Sequence, residues 1–119
     1  MTQRLFLILG IALATAACAS HPPPTDTMAS ALASMRGAEE LGAANVPQAS
    51  LQLQLAQEEI SKAKKLMADK KNERAYNMAL RAANDAELAI ALTREAQARK
   101  AAEQAEKQVQ VATNPEVKP

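Results

Sequence analysis

Aromatic side chains are almost missing from this 119-residue chain, which has one Phe, one Tyr and no Trp. Phe6 lies in the apolar opening stretch, so everything after it shares a single ring, Tyr76. A core without aromatic plates has to come from close approach of smaller side chains. β-Branched residues are too sparse to build a sheet. There are three glycines, and the six prolines are confined to 22–24, 47, 115 and 119, so long stretches carry no helix breaker. The lone cysteine, Cys18, has no partner for an internal disulfide. The lone histidine, His21, sits among prolines with no second ligand nearby and gives no basis for a metal site. Neither charge sign dominates: 14 basic side chains face 13 acidic ones, and without Arg4 of the opening stretch the count is 13 against 13. That balance argues against nucleic acid as a partner and against a polybasic membrane patch. Catalysis needs a nucleophile, a base and a group that orients them. No Gly-rich phosphate loop, paired metal ligands or buried acidic dyad can be read, so no enzymatic activity and no cofactor is expected.

What the chain has in abundance is alanine, 28 residues of it. With Glu, Lys, Leu and Arg around it and little Gly or Pro, this is the composition of long helices and coiled coils. The expected fold is all-α: a signal helix, then a small domain of three helices at about 26–41, 47–68 and 73–111, the last two an antiparallel hairpin with coiled-coil-like packing and a long C-terminal helix. In 26–41, Met28, Leu32 and Met35 keep three-four spacing, Thr25 or Asp26 can cap the start, and Gly42 is a natural stop. Gly37 weakens this helix by about 1 kcal/mol relative to alanine. Asn45 with Gln48 has the spacing of a capping box, and Pro47 suits a first turn.

The second helix carries a full heptad seam, Ala49, Leu53, Ala56, Ile60, Ala63 and Met67. Continuing that phase would place Lys70, Arg74, Asn77, Arg81 and Asn84 in a core. The apolar seam restarts instead at Ala75, Ala79, Ala82, Ala86 and Ala89, and the slip falls where Asp69 and Asn72, both turn and cap residues, stand. Two helices joined by a turn fit this better than one rod. The alanine seam allows close packing and is the candidate interaction surface of the chain. Asn84 and Asp85 read as polar flank or interhelical hydrogen-bonding residues, and Tyr76 as core. At 1.5 Å per residue the last helix is about 60 Å long and the second about half that. Its far end, "REAQARKAAEQAEKQ", keeps helix propensity and the pairs Glu95–Arg99 and Glu103–Lys107, and should project past the hairpin. Residues 113–119 are expected to form a disordered tail.

The opening differs from all of this. Met1–Arg4 is a basic n-region, Leu5–Leu13 an apolar run, and Thr15, Ala16 and Ala17 are small residues ahead of Cys18. This is the layout of a secretory signal over residues 1–17. The apolar segment Leu5–Ala19 is shorter than the ~20 residues a bilayer span needs. "LATAAC", residues 13–18, resembles the lipobox of bacterial lipoproteins, with Thr15 standing where leucine is usual. The resemblance implies diacylglyceryl attachment to Cys18 and cleavage just before it. The absence of Asp at position 19 is similar to the pattern for outer-membrane sorting. Residues 18–25, "CASHPPPT", would then form an extended proline-rich tether. The alternative is cleavage after Ala17 or Ala19 by ordinary signal peptidase, which would release a soluble periplasmic chain.

Three pieces carry a second resemblance: "AEELGAANVPQA" at 38–49, "EEISKAKKLMADKKNERA" at 58–75 and "ALRAANDAELA" at 79–89, the last with its "NDAELA" core. Over Ala29–Ala98 the chain resembles domain of unknown function 4398, a family of small alanine-rich envelope proteins of Gram-negative bacteria, often lipoproteins. The resemblance implies a periplasmic helical hairpin and no reaction. Taken together, the expectation is a lipoprotein of the cell envelope, held in the outer membrane by its acyl anchor and facing the periplasm. It would act as a structural or adaptor module toward a second copy or another envelope protein. The alternative is a soluble periplasmic helical binding or chaperone-like protein.

Overall fold

A computed structural model describes residues 21–114, and the expectations for the signal helix, Cys18 and the end of the tail lie outside those residues. Within them the chain forms α1 (Thr25–Glu40), a single 3₁₀ turn (Ala43–Asn45), α2 (Pro47–Ala68) and α3 (Asn72–Thr113). The fold is all-α, three helices with a long C-terminal one. No helix among the described residues is long and apolar enough to cross a membrane.

The helices run up, down and up. Ile60 shares one core cluster with Ala79 and Ala82, while Leu53 shares another with Ala89. Position falls along α2 as it rises along α3, so the hairpin is antiparallel. α1 lies along it from Met28 and Ala31 in the first cluster to Ala38 in the second. At the lower end the Asn72 side-chain amide donates to the His21 carbonyl at 2.6 Å. At the upper end Gln97 donates to the Leu41 carbonyl at 3.1 Å.

The core is made of methyl groups. Ala31, Ala38, Ala43, Ala49, Ala56, Ala63, Ala75, Ala79, Ala82, Ala86 and Ala89 have no accessible surface at all. Larger side chains are few: Met28, Leu53 and Ile60 are buried, with Leu32, Met35 and Met67 packed against them. With so little apolar volume per residue, stability depends on helix backbones lying close enough for the alanines to leave no void.

The turns show where local chemistry was read correctly and where it was not. Gly42 follows α1 in left-handed conformation, φ +86°, and its N–H closes onto the Glu39 carbonyl at 3.0 Å. The turn after α2 uses the same device without glycine: Lys70 takes φ +58°, Lys70 N–H bonds the Met67 carbonyl at 3.0 Å, and Lys71 N–H bonds the Leu66 carbonyl at 2.8 Å. These two bonds are the paired closure of a Schellman motif. The N-termini differ from expectation. Pro24 rather than Thr25 or Asp26 precedes α1, Val46 precedes α2, and no side chain caps any of the three helices. Asn45 is drawn into the 3₁₀ turn, too early to reach the first free N–H groups of α2, so the Asn45–Gln48 box does not form. Pro47 does occupy the first turn.

Two glycines should respond in opposite directions. A Cβ on Gly37 would meet only Ile90 Cδ1 at 3.5 Å, an ordinary contact. Gly37→Ala should therefore stabilise the domain by about 0.5–1 kcal/mol through helix propensity. At Gly42 the space is equally open, but φ +86° strains any L side chain. Gly42→Ala should cost about 1 kcal/mol. Urea unfolding of both variants, read at the midpoint, checks the sign of each.

Candidate interaction surface

The alanine seam predicted as an interaction surface is fully occupied within the chain. Ala75, Ala79, Ala82, Ala86 and Ala89 all have zero exposure, closed by α2 and α1. The reason is register: α2's own seam, Ala49, Leu53, Ala56, Ile60 and Ala63, is buried opposite it. The seam holds the hairpin together and presents nothing outward. Tyr76, expected in the core, is 46% exposed. Tyr76 stands one residue past the seam position Ala75, which is fully buried, and so turns off the closed face of α3.

The surface that is available has two parts. The first is the end of α3. Thr93 is the last buried residue, its hydroxyl donating to the Ala89 carbonyl at 2.7 Å, and Ala96 the last half-buried one. From Gln97 to Thr113 every residue of the helix is exposed, a free arm of roughly 25 Å. Arg99 and Glu95 pair at its base at 2.6 Å, and Glu58 and Lys62 pair on α2 at 3.5 Å. Glu103 and Lys107, expected to pair as well, are not among the closed ion pairs of the described residues. Val109 and Val111 are the large apolar side chains of the arm, about 60% exposed each.

The second part is polar and lies across the hairpin. Glu59 of α2 is 4% exposed although it is charged and stands beside the seam. Its Oε1 accepts from an Arg81 guanidinium nitrogen of α3 at 2.8 Å. Its Oε2 is buried with no conventional donor facing it. Asp85, one turn beyond Arg81 on the same helix, lies within hydrogen-bonding distance of the Glu59 carboxyl. Burial foremost, and then the Asp85 charge, push the Glu59 acid above the usual carboxylate range, while Arg81 and more weakly Lys62 pull it back. Arg81 is two-thirds exposed, so water screens its hold, and the upward push prevails. Glu59 is thus a buried carboxyl with a half-buried acidic neighbour, Asp85. Of the two roles expected for Asn84 and Asp85, Asp85 faces across the helices and the exposed Asn84 is polar flank. Leu55, Leu88, Leu51 and Leu80 are half-exposed apolar side chains elsewhere on the hairpin. Among the described residues, no three His, Cys, Asp or Glu side chains gather as metal ligands would.

The family described as domain of unknown function (DUF4398) matches residues 26–112. The chain belongs to this family. The DUF4398 match opens on the second residue of α1 and closes one residue before the end of α3. It goes further than the resemblance over Ala29–Ala98, and the added part is the free arm. In DUF4398 terms the arm is part of the domain rather than an appendage to it. No curated protein and no solved structure matches the chain.

Proposed function

We propose that the protein is a lipoprotein of the outer membrane, facing the periplasm, whose DUF4398 domain serves as a non-catalytic structural or adaptor module. One observation carries this reading. His21, three positions after Cys18, is tied to Asn72 at the foot of α3, while the free arm leaves the opposite end of the same helix. An acyl anchor on Cys18 would hold the foot at the membrane and present the tip of the arm about 60 Å along the helix axis. Several acyl chains, each contributing about 0.8 kcal/mol per buried methylene, make such an anchor permanent and leave the helices free of any membrane-binding duty. The lipobox-like "LATAAC" and the proline-rich tether support the same reading.

Labelling cells with palmitate and weighing the mature N-terminus tests the anchor. The expected product begins at Cys18 and carries acyl chains, and Cys18→Ala abolishes the label. An unmodified chain starting after Ala17 or Ala19 would instead support the soluble periplasmic binder. Photo-crosslinking in cells from Ala98 and Ala105 on the exposed arm tests the adaptor role. Discrete adducts with a second copy or an envelope protein are expected, and their complete absence would sink it.

A further inference from the structure

We propose that Glu59, Arg81 and Asp85 form a proton-operated latch across α2 and α3, in which one proton shared by two carboxyl groups holds the middle of the hairpin shut. The geometry leaves few alternatives for the buried Oε2 of Glu59. It has no hydrogen-bond partner, and the acidic neighbour that acts on the Glu59 carboxyl is Asp85, whose carboxylate can only accept when ionised. Two ionised carboxylates in contact, one of them 5% exposed by its side chain, would repel with little water to screen them. A proton on Oε2 turns that contact into a donor–acceptor bond to Asp85 and leaves Oε1 free to accept from Arg81 at 2.8 Å. Every buried valence of Glu59 is then satisfied. The charged groups that act on Glu59 are Lys62 on its own helix and Arg81 and Asp85 on α3; none comes from α1.

Because the folded chain holds the proton more tightly than an unfolded chain does, the latch's contribution is complete below the ordinary value of 4.5. It is lost as the pH rises through the raised folded value, when Glu59 becomes an anion in its buried site beside one screened arginine. The hairpin is thereby tighter in acid surroundings and looser in alkaline ones. This holds whether or not the chain is lipidated, so it stands apart from the anchor and the adaptor role.

The test is thermal unfolding of the full chain in detergent at about pH 4, 6 and 8, comparing wild type with Glu59→Gln. The glutamine amide donates to Asp85 and its oxygen accepts from Arg81 at every pH, so it mimics the protonated state permanently. The two melting temperatures should agree at the acid end, and the wild type should fall about 4–8 °C below the variant at the alkaline end. A gap that does not change with pH overturns the proposal. A second readout needs no variant to fold: the carbon-13 shift of the Glu59 carboxyl in the wild-type chain. A titration midpoint above that of an unstructured glutamate is expected, and a midpoint at or below it overturns the latch. In Asp85→Asn the midpoint should move down, because the asparagine amide then donates to the ionised form. No movement there would remove Asp85 as the proton partner and overturn the shared proton.

Discussion

Ala82→Leu is expected to lower the melting temperature by about 10 °C or more, whereas Ala105→Leu should leave it nearly unchanged. Both substitutions add the same atoms to the same helix. Ala82 has no accessible surface and sits among Met28, Ala31, Ile60, Ala63, Ala79 and Ala83. Three of those neighbours are themselves alanines with zero exposure, so much of the wall facing Ala82 is helix backbone that cannot yield, and the helices must separate. Overpacking of this kind typically costs about 1–3 kcal/mol and more where the surroundings are rigid. In a domain of this size each kcal/mol is worth about 4–8 °C. Ala105 is exposed on the free arm, where surface changes stay within about 0.5 kcal/mol. Differential scanning calorimetry of the two variants decides the matter. Equal melting temperatures would mean that the alanine seam is not what sets the helix separation.

Ile60→Ala acts on the same cluster from the opposite direction. Ile60 is 4% exposed and is the largest aliphatic side chain of its cluster. Its removal leaves a cavity that alanine neighbours cannot relax to fill, at a cost of about 2–5 kcal/mol. Few other large side chains share the load, so the variant should unfold well below wild type or lose cooperativity. Because Ile60 and Ala82 touch the same space, the two changes should not add. The double variant Ile60→Ala with Ala82→Leu moves volume across the interface without changing its total, and should recover part of either single loss. A double variant as unstable as the sum of the singles would show that shape, and not volume, limits this core.

Much of the architecture could be read from residues because it follows from spacing. The run from Ala49 to Ala63 keeps its four-three rhythm, and those positions are the buried ones on α2. The slip of phase between Met67 and Ala75 marked a turn, and the chain does reverse at Asp69–Lys71. Gly42 signalled the end of α1 by the conformation only glycine adopts cheaply. What was missed depends on contacts across helices. Glu59 adjoins Ile60 and looks like surface in one helix taken alone. It becomes buried only when α2 and α3 are set side by side. With Ile60 level with Ala82, it meets the turn that runs from Arg81 to Asp85. That register was available from the two seams, so the acidic pair was within range of sequence reasoning once the antiparallel alignment was drawn. The helix caps failed for a different reason. The side chains suited to capping are present, but the chain enters each helix from a proline, a valine or a lysine instead, and a one-residue offset is enough to strand a cap. Tyr76 failed because it stands one residue off the seam position Ala75, on a side of α3 that no other helix closes.

Nothing in the core draws on residues beyond Ala96, and past Gln97, whose side chain bonds the Leu41 carbonyl, the arm is a plain helix with solvent on every side. Its length is therefore a free variable. Deleting or inserting seven residues there would move the tip by about 10.5 Å along the axis and return it to nearly the same angular position. The hairpin would be unaware of the change. The chain thus behaves as a gauge whose setting is independent of its clamp: the alanines decide whether it holds, and the count of residues past Gln97 decides how far from its foot the tip stands.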